Sequence, residues 1–60
     1  MLTAPEHALA YCELREIFNP GEARTWLETP NGSLGDRQPM QCSFEEVMRV
    51  IDSLKSGAFA

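Results

Sequence analysis

Sixty residues make one domain at most, and a chain this short buries only about 60% of the surface that its unfolded form exposes, so its interior is small. Apolar residues at 43% and charged residues at 23% exclude the composition of a disordered chain. Nine Asp and Glu against five Lys and Arg give a net charge of −4 without a basic cluster, which argues against nucleic acid as a direct partner, and no apolar run approaches the roughly 20 residues of a membrane span.

The first helix signal is Thr3-Ala4-Pro5-Glu6: a Thr cap, a proline in the first turn and an acid three residues after the cap. It predicts a helix over residues 4–18. Leu9, Cys12 and Ile17 fall on one side of it and Ala8, Tyr11, Leu14 and Phe18 on the other, a stripe wider than one buried face requires. Contact on two sides, and therefore a homo-oligomer, is the expectation. The N-terminal stretch carries no basic region followed by an apolar leader, which points to the bacterial cytoplasm and to reduced thiols. Cys12 and Cys42 are then small hydrophobes at helix packing positions.

Asn19-Pro20-Gly21-Glu22 repeats the start signal and predicts a short helix over 20–28, with Ala23, Trp26 and Leu27 inward. Pro30 biases Thr29 away from helical geometry, and residues 30–33 read as a turn, with Asn31 as its turn residue. From Ser33 to Cys42, Leu34 and Met40 are isolated apolar anchors, Gly35 and Pro39 punctuate the chain, and Pro39 opens at most one helical turn. Ser43-Phe44-Glu45-Glu46 is a capping box before the most regular apolar pattern, Phe44, Val47, Ile51 and Leu54 joined by Met48 and Val50. Gly57 supplies its left-handed stop. The expected architecture is all-α: one domain over 1–60, a three-helix cluster with an N-terminal helix over 1–18 and a loop-rich segment between helices two and three.

No catalytic constellation emerges. The one histidine, His7, lies five residues from Cys12, a poor helical offset for a nucleophile and its base. Glu45 and Glu46 point about 100° apart and read as first-turn acids that favour the macrodipole rather than as an acid and base. Two cysteines and a single histidine fall short of a structural zinc site. The chain is thus read as a non-enzyme without cofactor or metal. Trp26 and Phe44 are core residues first and partner anchors second. After Gly57 the sequence Ala58-Phe59-Ala60 sets an aromatic beyond the last helix stop, a candidate insertion element.

Read together, Ala23, Trp26, Leu27, Pro30, Asn31, Leu34, Gly35 and Pro39, followed by Val47, Ile51, Leu54, Gly57, Phe59 and Ala60, resemble the toxin-binding domain of Xre/MbcA/ParS antitoxins. The likeness covers roughly residues 23–60; Met40 stands where leucine is common, the stretch from Pro39 to Val47 is short, and the first helix has no clear counterpart. Members commonly add an N-terminal helix-turn-helix, for which this length leaves no room. The resemblance implies an antitoxin module that neutralises a RES-domain, NAD-consuming toxin by covering its active site. Trp26, Leu27, Pro30, Asn31, Leu34, Gly35, Pro39 and Gly57 would build the motif, and Arg49, Lys55, Phe59 and Ala60 would meet the partner. The alternative is a phage or plasmid accessory protein that uses the same scaffold to inhibit a different host protein.

Overall fold

The computed structural model describes residues 1–57. Three α-helices, α1 (Ala4–Leu14), α2 (Pro20–Glu28) and α3 (Phe44–Ser56), are joined by a tight turn and by a longer segment holding two 3₁₀ turns, Gly32–Leu34 and Pro39–Gln41. Among the described residues there is no strand, only an isolated bridge between Asn31 and Arg37. The all-α reading therefore holds.

Every helix begins on the same local chemistry. Thr3, Asn19 and Ser43 have extended backbones, and their side-chain oxygens accept the N–H groups of Glu6, Glu22 and Glu46, each relieving an amide that the first turn leaves without a partner. In α1 and α2 the glutamate returns the bond to the cap's own N–H, completing the box. In α3 it does not. Glu46 instead accepts from the Ser43 hydroxyl at 3.1 Å and from Arg37 at 2.7 Å, so the expected box is half formed because a guanidinium claims its acid.

The N-terminal helix ends at Leu14 rather than at Phe18. Asn19 precedes Pro20 and is held extended at ψ 168°, as the proline ring demands of the residue before it, and residues 15–18 form the turn that leads to it. The N–H groups of Glu16 and Ile17 fall back onto the carbonyls of Glu13 and Leu14, three residues before each, and Arg15 donates to the Phe18 carbonyl at 3.1 Å to hold the turn.

Leu14, Leu27, Val47 and Ile51 are the fully enclosed aliphatics, one or two from each helix, and Ala10 and Ala23 let the backbones approach. Leu2, Leu34 and Cys42 close this core from outside the helices, with Tyr11, Phe18, Trp26, Phe44, Met48 and Leu54 packed around it. At about 25 cal/mol per Å² of apolar surface removed from water, these few side chains carry the fold. Leu2 is pinned by its N–H to the Met40 carbonyl at 3.0 Å. Cys42 is buried as expected, its thiol directed at the Gln38 carbonyl 3.5 Å away.

Cys12 is a correction. It is exposed, not packed, because the four residues from Ala8 and the three from Leu9 put all three on the outer side of α1, opposite Ala10 and Leu14. Both cysteines are free thiols.

The segment between α2 and α3 is held by polar groups. The Asn31 side chain accepts the Ser33 N–H at 2.8 Å, and its carbonyl accepts from Leu34 and Asp36, each at 2.9 Å. Gly35 and Asp36 both turn left-handed, at φ 67° and 62°; glycine does so freely and aspartate is among the few other residues that tolerate it. The loop then returns, Asn31 donating to the Arg37 carbonyl at 3.1 Å, and Leu34 is carried into the core. Gln38 ties the far end to the last carbonyl of α2, that of Glu28, at 2.7 Å.

Candidate binding surface

Phe18 immediately precedes the Asn19 cap, the position from which an apolar side chain packs back over the start of a helix. It is half-buried against the core, as is Trp26 two turns along α2. Because α1 stops early and Gly21 adds no side chain, the space between these aromatics stays open. It forms a depression of about 550 Å³ lined by Phe18 and Trp26 together with Glu22, Thr25 and Thr29. The Thr29 hydroxyl donates to the Thr25 carbonyl at 2.8 Å, so that hydroxyl is satisfied within α2, and the lining is mostly apolar.

One ionisable side chain lines the depression. Glu22 accepts from the Asn19 N–H at 3.4 Å through one carboxylate oxygen, and it belongs to none of the ion pairs of the described residues. Arg15 is the nearest cation along the chain on the α1 side, but it is bonded to the Phe18 carbonyl and does not line the depression.

A second surface lies on α1. Ala4, Pro5, Ala8, Leu9 and Cys12 are all exposed and uncharged, Leu9 at 57%, and Ile17 continues the apolar exposure beyond the helix at 40%. Of the two sides read from the sequence, Leu9, Cys12 and Ile17 face solvent; on the other, Leu14 is buried and Tyr11 and Phe18 are half-buried, but Ala8 is exposed with the first set, and Ala10, assigned to neither side, is buried.

The motif residues fall into three groups. Leu27, Leu34 and Pro39 are buried, and Trp26 and Asn31 are half-buried. Gly35 and Gly57 take the left-handed geometry of stops, and Pro30 is exposed while holding Thr29 extended at ψ 129°. Of the residues expected to meet a partner, Arg49 is exposed on α3. Lys55 is engaged within the molecule, by Glu13 and, at 3.1 Å, by Glu16; these acids raise its pKa, Glu13 first. Phe59 and Ala60 lie outside the described residues.

Cys42 is buried and Cys12 exposed, and among the described residues no three His, Cys, Asp or Glu side chains are grouped to hold a metal ion. Glu46 is lowered in pKa by the Ser43 hydroxyl first and by Arg37 next, the environment of a structural carboxylate rather than of a proton donor near neutrality. Sequence reasoning missed the role of Phe18, which it assigned to the α1 stripe. Its place directly before a helix cap was the available signal, and Leu2 and Cys42 share that place before Thr3 and Ser43.

The fold and surface thus define a small all-α module with an open aromatic depression and an uncharged outer helix face. No described helix is long and apolar enough to cross a membrane. Comparison of the chain with protein-family models, curated proteins and solved structures finds no match.

Proposed function

We propose that this chain is a protein-binding module of the antitoxin type, which restrains a RES-domain, NAD-consuming toxin by covering the entrance to its active site. The observation that carries the reading is the outer face of α1, whose five exposed positions, Ala4, Pro5, Ala8, Leu9 and Cys12, hold no charge on a chain where Asp, Glu, Lys and Arg are otherwise well supplied. A helix that meets only water places polar residues there, and contiguous apolar surface on a small protein marks a site of association.

The resemblance in residues 23–60 supports the finer assignment. Its motif positions work as one elbow: Leu27 and Leu34 anchor it in the core, Asn31 and Gly35 shape the bend, and Pro39 is buried where the chain turns toward α3. Such an elbow presents a rigid surface, which lowers the ordering cost of docking. Inhibition is steric, with no group transferred, and the Phe59 tail serves as an apolar plug.

The test is to add the purified chain to a RES-domain enzyme and follow NAD consumption. Near-complete inhibition at equimolar protein is expected. Undiminished turnover, with no complex on size-exclusion chromatography, overturns the reading. Removing residues 58–60 should weaken inhibition, and unchanged inhibition discards the plug.

A further inference from the structure

The depression between Phe18 and Trp26 has a composition that says more about what enters it than its apolar lining alone. Two aromatic side chains and one carboxylate line it, and the carboxylate is the only charge. Aromatic faces carry negative quadrupole potential and attract cations, tryptophan most strongly. The Glu22 carboxylate accepts one hydrogen bond, through one oxygen, leaving the other without a protein partner among the described residues. Arg24, the only cation on α2, is two residues from Glu22, and helix residues two apart do not face each other.

We infer that this depression receives an arginine side chain from a partner segment whose neighbouring residues are apolar. Arginine fits better than lysine. Its planar guanidinium stacks on an aromatic ring while its fork of N–H groups bonds a carboxylate, whereas an ammonium is a compact, strongly hydrated point charge. Trp26 lies four residues beyond Glu22, one helical turn on and on the same face of α2, so one guanidinium can reach both. The chain's charge of −4 attracts a basic segment at longer range. Thr25, Thr29 and Phe18, which complete a mostly apolar lining, accommodate the apolar flank.

This inference rests on the module working by gripping a protein, and it names the chemistry of the gripped segment. The probe is a short peptide with one central arginine between leucines, compared with the same peptide carrying citrulline, which has the same shape without the charge. Trp26 is the sole tryptophan, so its emission reports occupancy directly. The arginine peptide should bind about tenfold more tightly than its citrulline counterpart. Glu22→Gln keeps an oxygen able to accept the Asn19 N–H, so its circular dichroism and melting should match the parent; it should reduce arginine-peptide affinity to the citrulline level and leave citrulline binding unchanged. Equal affinity for the two peptides, an equal loss of both in Glu22→Gln, or no binding of either overturns the inference. Inhibition of a RES-domain enzyme is read separately, so a charge-blind depression leaves that reading standing.

Discussion

The first and last helices solve the same problem differently. α3 buries Val47, Val50 and Ile51 on one side and turns Glu45, Arg49 and Asp52 to water on the other, the division expected of a helix that completes a domain surface. α1 buries Ala10 and Leu14 yet exposes Ala8, Leu9 and Cys12. Both are capped, and both contribute to one core. What separates them is the outer face, and the contrast teaches that the buried apolar residues of α1 account for folding, whereas its exposed ones do not and are the basis of the docking proposed above.

The largest test of this contrast sets the two faces of α1 against each other. Leu14→Ala, at a fully enclosed position, should cost about 2–5 kcal/mol, most or all of the roughly 3–5 kcal/mol a core of this size supplies. The cooperative thermal transition followed by circular dichroism should be lost or nearly so. Leu9→Ala on the outer face should shift the unfolding free energy by no more than about 0.5 kcal/mol. A large effect at Leu9 in dilute solution would place that residue in the monomer's own stability and remove it from an interface.

A smaller effect is expected at the elbow, which neither helix face can explain. Gly35→Ala forces a side chain into φ 67° and should cost about 1–2 kcal/mol; Asn31→Ala frees the Ser33 N–H and should cost about 1 kcal/mol. Urea midpoints measure both. Smaller again is the response to dilution. If the outer face of α1 pairs with a second copy, lowering the protein concentration should lower the melting temperature, and Leu9→Glu should make that temperature independent of concentration.

The smallest effects concern pH, and they distinguish the two ends of α3. The Glu46 carboxyl is held below its usual range, by Ser43 first and then Arg37. Its contribution is complete above the ordinary carboxylate range and lost as pH falls through the lowered value. The Lys55 ammonium is raised, by Glu13 first and then Glu16, so its contribution is complete below the ordinary lysine range and lost as pH rises through the raised value. Arg37→Gln should flatten the acid side of a plot of melting temperature against pH, and Lys55→Met the alkaline side. Both changes should be slight, since exposed pairs stabilise little.

Local chemistry made much of this fold legible. The extent of α2, residues 20–28, follows from Asn19, Pro20 and Pro30, and α3 follows from Ser43 and Gly57, because caps and stops act within a few residues of themselves. The end of α1 is less legible: the apolar spacing runs on to Phe18, but from Leu14 the chain tightens into a turn that delivers Phe18 and Asn19 to the start of α2. The loop was read as punctuation, but its order comes from Arg37 reaching the Leu34 carbonyl and Glu46, and from Gln38 reaching Glu28. Bonds between residues as distant as these leave no periodic trace. The depression was illegible for a related reason, since it is the space left where two elements diverge.

The clasp of Lys55 on Glu13 and Glu16 also bears on the order of assembly. The last turn of α1 holds Glu13 and no basic residue, an arrangement its own carbonyl dipoles oppose, Arg15 at the cap is turned to the Phe18 carbonyl, and the cation paired with Glu13 lies 42 residues on. During synthesis α1 therefore emerges with its apolar inner face open to cover by α2 alone and with Glu13 lacking its lysine, and both needs are fully met only when α3 follows. A nascent chain halted before α3 would hold a frayed, sticky helix, the state in which chaperones and proteases find their substrates.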